Sequence, residues 1–552
     1  MRQRRRIPRL IGSLLLLAVA AAAGGEASAA GKPARKAAPA PGPAAGAAAE
    51  PEVRPLGRII PVPASVTPEG EPYTLTRTTR IGVDQKSREV GRYLAGLLRP
   101  STGFPLPVVD ERAAESGIRL RVSPGETALG AEGYRLRSEP GGITLTAREP
   151  AGLFRGVQTL RQQLPAAVER RTVQPGPWKI AGGTVTDTPR YAYRGAMLDV
   201  SRHFFTVDEV KRYIDQLALY KINTLHLHLT DDQGWRIAVD SWPRLTTYGG
   251  STEVGGGPGG YYTKEEYQEI VRYAASRHQE VIPEIDMPGH TNAALASYAE
   301  LNCDGVAPPL YTGIKVGFSS LCVPKPVTYD FVDDVIREIA ALTPGRYLHI
   351  GGDEAHSTSH ADYAAFMERV QPVVAKYGKT VVGWHQLTGA TPAEGALVQY
   401  WGLDRTPAAE KEKVAAAARG GTGLILSPAD RVYLDMKYTK DTPLGLAWAG
   451  YVEVRRSYDW DPAAYLPGAP ASAVRGVEAP LWTETLETPA HLDVMAFPRL
   501  PGVAELGWSP AGTHDWETYK VRLAEQAPRF DALGIGYHRS PQVPWPTGGS
   551  GE

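Results

Sequence analysis

The chain has 552 residues, with 60 basic and 60 acidic side chains, a formal charge of zero and two cysteines. It is long enough for a barrel-sized domain plus one further module. No basic stripe lies beyond its first few residues, which argues against nucleic acid as a partner.

Arg2, Arg4, Arg5 and Arg6 precede an apolar run over residues 11–23 and the small residues Ala27, Ser28 and Ala29. This is the pattern of a cleavable export signal, placed at residues 1–30. The run is too short to span a bilayer, and no other stretch approaches the roughly 20 apolar residues that would. The mature protein is therefore expected to be secreted, with no membrane segment once the signal is removed. Residues 31–55 are rich in Ala, Pro and Gly and have little to bury, so they read as a disordered tether. Over residues 56–189 the pattern changes: alternating runs at 117–122 and 142–146 predict half-exposed strands, and helical spacing covers 90–98 and 151–164. This small α+β domain offers no cluster of chemically useful side chains, which leaves it a packing role.

From residue 190 to 540, strand-like apolar runs alternate with amphipathic helices, the signature of repeated βα units. Strands are predicted at 196–200, 224–229, 280–284, 347–350, 380–384, 396–400, 423–426 and 476–481. That number defines an α/β fold of the (β/α)8 TIM-barrel type. Thr206 with Glu209 and Thr263 with Glu266 fit the capping box at helix starts. Further helices are expected at 328–342 and 516–533, and the tail at 541–552 is expected to be disordered. Cys303 and Cys322 lie between strands three and four; in an exported chain so close a pair closes one loop as a disulfide, since a metal would want more ligands.

Active sites of such barrels stand at the C-terminal strand ends. There the sequence collects Arg202 and His203 after strand one, and Asp231, Asp232 and Trp235 after strand two. Asp286 and His290 follow strand three, and Asp353 and Glu354 follow Gly351-Gly352 at strand four. Trp384, Trp401, Tyr433, Asp435, Trp448, Trp482 and Glu484 follow the later strands. An Asp-Glu pair after glycines is by itself an ordinary turn, and any one tryptophan is as readily core; Trp235, Trp242 and Trp508 are read as core. Together the inventory suits a sugar, whose apolar face stacks on indoles while its hydroxyls bond to Asp, Glu and Arg.

Four motifs, residues 201–203, 228–235, 284–290 and 349–354, resemble the family 20 glycoside hydrolases, exo-acting β-N-acetylhexosaminidases; the likeness spans residues 59–533. A two-sided retaining site sets its carboxylates about 5–5.5 Å apart across the scissile bond. Adjacent residues at a strand end point in different directions and fit that poorly. The resemblance implies instead that the substrate's 2-acetamido oxygen attacks its own anomeric carbon, giving an oxazolinium ion that water opens with retention. Glu354 would then be the general acid and base, Asp353 the partner of the acetamido N–H, and Tyr433 the donor to its oxygen. Trp384, Trp401 and Trp482, with Trp448, would wall the sugar; Arg202, Asp435 and Glu484 would take its hydroxyls. His290 and Asp231 would orient Glu354, with Asp286 and His356 in supporting bonds. The implied substrates are N-acetylhexosamine-terminated oligosaccharides or glycoconjugates, chitin-derived ones included, with no cofactor and no metal. Two readings compete: a metal-dependent barrel amidohydrolase using His226 and His228, which share one strand face, and a sugar-binding barrel without turnover.

Overall fold

The computed structural model describes residues 53–547. The expected export signal, all of the tether but residues 53–55, and residues 548–552 lie outside the described residues. No helix among the described residues is long and apolar enough to cross a membrane.

The first module is built on a seven-stranded sheet in the spatial order 65–68, 183–187, 134–139, 142–147, 118–122, 81–83, 108–110. Burial alternates along Tyr134–Glu139, as period two demands of a sheet with one covered face. Helices Arg88–Thr102 and Pro150–Gln163 cover that face. Their Leu94, Leu98, Leu153, Val157 and Leu160 pack with Ile118, Leu120, Leu136 and Leu145.

The second module is a closed barrel of parallel strands: β1 (Tyr193–Asp199), β2 (Thr224–His228), β3 (Glu280–Glu284), β4 (Tyr347–His349), β5 (Thr380–Trp384), β6 (Leu397–Tyr400), β7 (Gly423–Leu426) and β8 (Val474–Leu481). Closure is direct, since Tyr193 to Leu198 of β1 pair with Gly476 to Leu481 of β8. Along each strand one set of residues, such as Leu225, Leu227, Leu348, Val398 and Leu424, packs outward against the helices. The other set faces inward. Its lower layer is apolar, with Tyr193, Ile282, Val382, Leu397 and Ile425. Its upper part is polar: His226, His228, Glu284, His349, Gln399 and Glu478 are all buried. Both capping boxes form, Thr206 with Glu209 and Thr263 with Glu266.

Two expectations change. The helix predicted over 516–533 is two, Trp516–Ala524 and Ala527–Leu533, because Pro528 in the first turn of the second has no N–H to continue the ladder. Residues 541–547 are ordered against the barrel: Val543 is buried, and Trp545 packs on Tyr537 with ring centroids 5.1 Å apart. Those two apolar side chains, with bonds from Arg455 N–H to Gln542 Oε1 and from Arg539 to Pro546 O, dock it.

The modules join at the N-terminal ends of the barrel strands, away from the rim where a site would form. Asp187, at the end of the last sheet strand, is fully buried and accepts bonds from Lys221 Nζ at 2.9 Å, Trp508 Nε1 at 2.9 Å and Tyr134 Oη at 2.6 Å. Arg155 and Arg194 share Glu132 beside it. Removing one partner of a buried pair leaves an uncompensated charge. Lys221→Met is therefore expected to lower unfolding free energy by about 3–5 kcal/mol in urea titration, with activity per folded molecule unchanged.

Candidate active site

The polar residues gather on the C-terminal rim, each placed by a strand end. At the end of β1, Asp199 Oδ1 accepts from the backbone N–H groups of Ser201 and Arg202 at 2.8 and 3.0 Å, folding the chain back over the barrel mouth. Arg202 Nη2 lies 2.9 Å from Asp231 Oδ2, and its guanidinium covers the Trp482 ring at 4.9 Å. Asp231, just past β2, also accepts from His228 Nε2 at 2.7 Å and faces His290 Nδ1 at 3.2 Å. These cations hold its carboxyl well below the usual range, against the opposing effect of burial.

His290 Nε2 in turn lies 3.4 Å from Glu354 Oε2 and 3.8 Å from Asp353 Oδ2. The two neighbouring acids thus converge on one imidazole nitrogen, contrary to the strand-end expectation that they diverge. The reason is backbone: Gly351 and Gly352 have φ of 63° and 99°, and Glu354 itself sits at 45°. Strand alternation is broken before the acids are reached. A Cβ at Gly351 would stand 1.7 Å from Asp286 Oδ1, so only glycine lets Asp286 accept from the Gly352 N–H, at 3.1 Å. Glu354 and His290 (φ 56°) are both held in the left-handed region that non-glycine residues avoid, a cost that clusters at functional sites.

Burial first, and then the charge of Glu354, push the Asp353 carboxyl up to about 6, while His290 pulls it down. Asp435 is pushed up in the same direction by burial and by the charge of Glu484. Asp353 Oδ1, both Asp435 oxygens, Arg202 Nε and His290 Nε2 are buried with no hydrogen-bond partner among the described residues. Unpaired buried polar atoms are costly, and these five stand together on the rim.

An aromatic wall completes it. Trp384 is fully buried and lies 5.8 Å from Trp482. Tyr433 lies 6.1 Å from Trp482 and 5.9 Å from Trp448, and Trp448 meets Trp401 edge-on at 5.9 Å. Trp448 is 43% exposed, so it stands at the mouth, while Trp384 forms the floor. The other side is bounded by the loop that the Cys303–Cys322 disulfide closes. Asp232 Oδ1 accepts from Ser319 Oγ and Gln233 Nε2 donates to Gly313 O, pinning that loop beside the acids. His356 is exposed at its edge. Trp235 and Trp508 are core as expected, and Trp242 is partly buried against Phe331.

Sequence reasoning met His226 and His228 only as candidate metal ligands and gave Glu284 and Glu478, beneath this rim, no role. Glu284 Oε2 accepts from His228 Nδ1 at 2.5 Å, and Glu284 Oε1 accepts from Trp384 Nε1 at 2.8 Å. His226 Nδ1 meets Glu478 at 2.9 Å, and its Nε2 lies 3.1 Å from Glu284. The His-x-His spacing on β2 was the available signal, but its partners lie on other strands. His226, Glu284 and His349 stand close enough to share an ion. However, both nitrogens of His226 and of His228 are directed at carboxylates, and those charges raise His226 to about 9 although burial lowers it. An imidazole that keeps its proton is a poor metal ligand, which counts against the amidohydrolase reading of these rings. A separate groove of about 1170 Å³, lined by Tyr93, Arg171, Asp208 and Asp531 among others, contains none of the rim residues.

A barrel whose rim joins acids, an arginine and an indole wall is that of a carbohydrate-cleaving hydrolase. Comparison with known proteins gives the family. Residues 191–511 match the model for the glycosyl hydrolase family 20 catalytic domain, and residues 57–188 match that family's domain 2. A β-N-acetylhexosaminidase of Cellulomonas fimi is 45% identical over 496 residues, covering 89% of this chain and 98% of that protein. The solved family 20 β-N-acetylhexosaminidase of Streptomyces coelicolor A3(2) superposes with a TM-score of 0.88 at 77% identity, over 89% of this chain and 99% of that one. A Streptomyces plicatus β-hexosaminidase variant solved with the product GlcNAc superposes equally well, at 77% identity over 89% and 98% of the two chains. The chain belongs to glycosyl hydrolase family 20.

Proposed function

We propose that Asp353 and Glu354 carry the retaining, substrate-assisted hydrolysis in this chain, an exo-acting β-N-acetylhexosaminidase that removes terminal non-reducing N-acetylhexosamine. The supporting observation is the convergence of the two acids on His290 Nε2, at 3.8 and 3.4 Å. Two acids gathered beside one imidazole suit a proton donor next to a partner for the acetamido group better than an acid and a nucleophile on opposite faces of a ring, and in this reading the nucleophile comes from the sugar.

Glu354 donates a proton to the leaving oxygen and later takes one from water. Asp353 accepts from the acetamido N–H and balances the positive charge that grows on it. Tyr433 donates to the acetamido oxygen and holds it in line for attack. Trp384, Trp401, Trp482 and Trp448 enclose ring and methyl; Arg202, Asp435 and Glu484 bind hydroxyls. Asp231 and His290 aim Glu354. The chain is secreted, and chitin-derived oligosaccharides are the substrates that this reading favours. The closed loop Cys303–Cys322 suits an oxidising compartment.

One assay on purified protein tests this. Aryl β-N-acetylglucosaminide and galactosaminide should be cleaved, the de-acetylated glucosaminide should not, and chelator should change nothing. Equal turnover of the de-acetylated substrate would overturn the proposal. Activity in the cell pellet alone, with none in the medium, would remove secretion from it.

A further inference from the structure

Under the rim lies a carboxylate that touches both halves of the site. Glu284, at the end of β3, is fully buried. Its Oε1 accepts from Trp384 Nε1 at 2.8 Å, holding the floor of the aromatic wall. Its Oε2 lies 2.5 Å from His228 Nδ1, and the opposite nitrogen of that ring lies 2.7 Å from Asp231 Oδ2. Asp231 faces His290, which faces Glu354.

The proton count along this line is constrained. A neutral imidazole has one donor and one acceptor nitrogen, yet both nitrogens of His228 meet carboxylate oxygens. Asp231 already accepts from Arg202 Nη2 at 2.9 Å and from the Asp232 N–H at 2.5 Å. Glu284 already accepts from the indole, and His226 Nε2 and His349 Nδ1 lie 3.1 and 2.9 Å from it. Each carboxylate thus already accepts from a donor outside the ring, and the ring meets carboxylate oxygen on both sides, which places the second proton on His228. The charges of Glu284 and Asp231 raise its basicity well above the ordinary value, reversing the effect of burial. The other groups near the ring are Asp286 and the edge of Trp482, whose centroid is 4.8 Å away, while His226 and His349 face Glu284 from its other side.

We propose that Glu284 and His228 are positioning residues: one buried carboxylate fixes the Trp384 floor and, through a His228 imidazolium, fixes Asp231 and His290 and so the aim of Glu354. This rests on the roles given above to Trp384, Asp231, His290 and Glu354. Charge-assisted hydrogen bonds join Glu284, His228 and Asp231, and a 3.4 Å charge contact carries the line from His290 to Glu354; supporting partners of this kind commonly change activity about 10–100-fold when replaced.

The test has two arms. Neutron diffraction from wild-type crystals at neutral pH should show deuterium on both His228 nitrogens and none on Glu284. A single deuteron on His228, or one on Glu284, overturns the assignment whatever the variants do. The second arm compares phenyl and 2,4-dinitrophenyl N-acetylglucosaminides, because proton donation matters for the poor leaving group and little for the good one. In His228→Gln, kcat/KM, which reports the leaving-group step for both substrates, should fall about tenfold or more further for the phenyl substrate than for the dinitrophenyl one. In Glu284→Gln the same split should appear, joined by a raised KM for both substrates from the loosened indole. Rates are taken per folded molecule, from circular dichroism and thermal melting. An equal loss on both substrates means a structural role alone and overturns the proposal. Glu354→Gln serves as control: if it too shows no split, the acid assignment itself fails; if it shows one and His228→Gln does not, only the relay fails.

Discussion

Asp353→Asn is expected to lower kcat about 10²–10³-fold on N-acetylhexosaminides while making the protein more stable at neutral pH. Both effects come from one carboxylate. Asp353 is 8% exposed, and burial with the charge of Glu354 lifts it from the ordinary 3.8 to about 6. The folded protein therefore holds that proton more tightly than the unfolded chain does. The associated stability is fully present below 3.8 and is lost as pH rises through about 6, so at pH 7 the charge costs on the order of 1–3 kcal/mol. Asparagine has nearly the same shape and no charge, and so removes that cost. It also removes what balances the cation forming on the acetamide, and it turns an N–H donor toward the substrate's own N–H. Thermal melting at pH 7.5 and pH 4 measures the first effect: the gain should be large at the higher pH and small at the lower. A melting point that falls at pH 7.5 contradicts the argument. For the wild type the same protonation predicts that kcat/KM declines as pH drops below about 6.

Glu354→Gln should reduce hydrolysis of phenyl N-acetylglucosaminide by about 10²–10⁴-fold, the usual worth of a positioned general acid. The dinitrophenyl substrate should suffer much less in the first step, because its leaving group departs without a proton. With that substrate the slow step becomes opening of the oxazolinium ion, where glutamine cannot activate water, and a burst of product should precede slow turnover. Absence of the burst together with equal loss on both substrates would place the acid elsewhere. The left-handed backbone at Glu354 means that the side chain is aimed by the main chain as well as by His290, so the amide should occupy the same place.

Much of this architecture was readable from the chain. Barrel strands buried on both sides leave continuous apolar runs, and all eight stood out, with β3, β5 and β7 at the bounds expected. The rim residues were legible because they follow those runs directly. What could not be read were relations across the barrel. Glu284 meets His228 from 56 positions away, and Glu478 meets His226 from 252 away. Inward residues of a closed barrel find partners by register and not by local spacing, so Glu284 looked like one more member of a strand. The direction of Glu354 was hidden for a different reason: period two fails once Gly351 and Gly352 turn left-handed. The docking of residues 541–547 rests on Val543, Trp545 and bonds such as Arg455 N–H to Gln542 Oε1, too few side chains to show as a pattern.

The loop closed by Cys303 and Cys322 leaves Val306, Ile314, Val316 and Phe318 exposed, while its Gly317 abuts the backbone of Glu354. Its ends are tied covalently, and Ser319 and Gly313 anchor it to residues after β2. Sequence diversity can therefore be introduced on those outward side chains without disturbing the scaffold, whereas Gly351 and Gly352 admit no side chain at all. A library meant to retune selectivity should vary the first set and leave the second untouched.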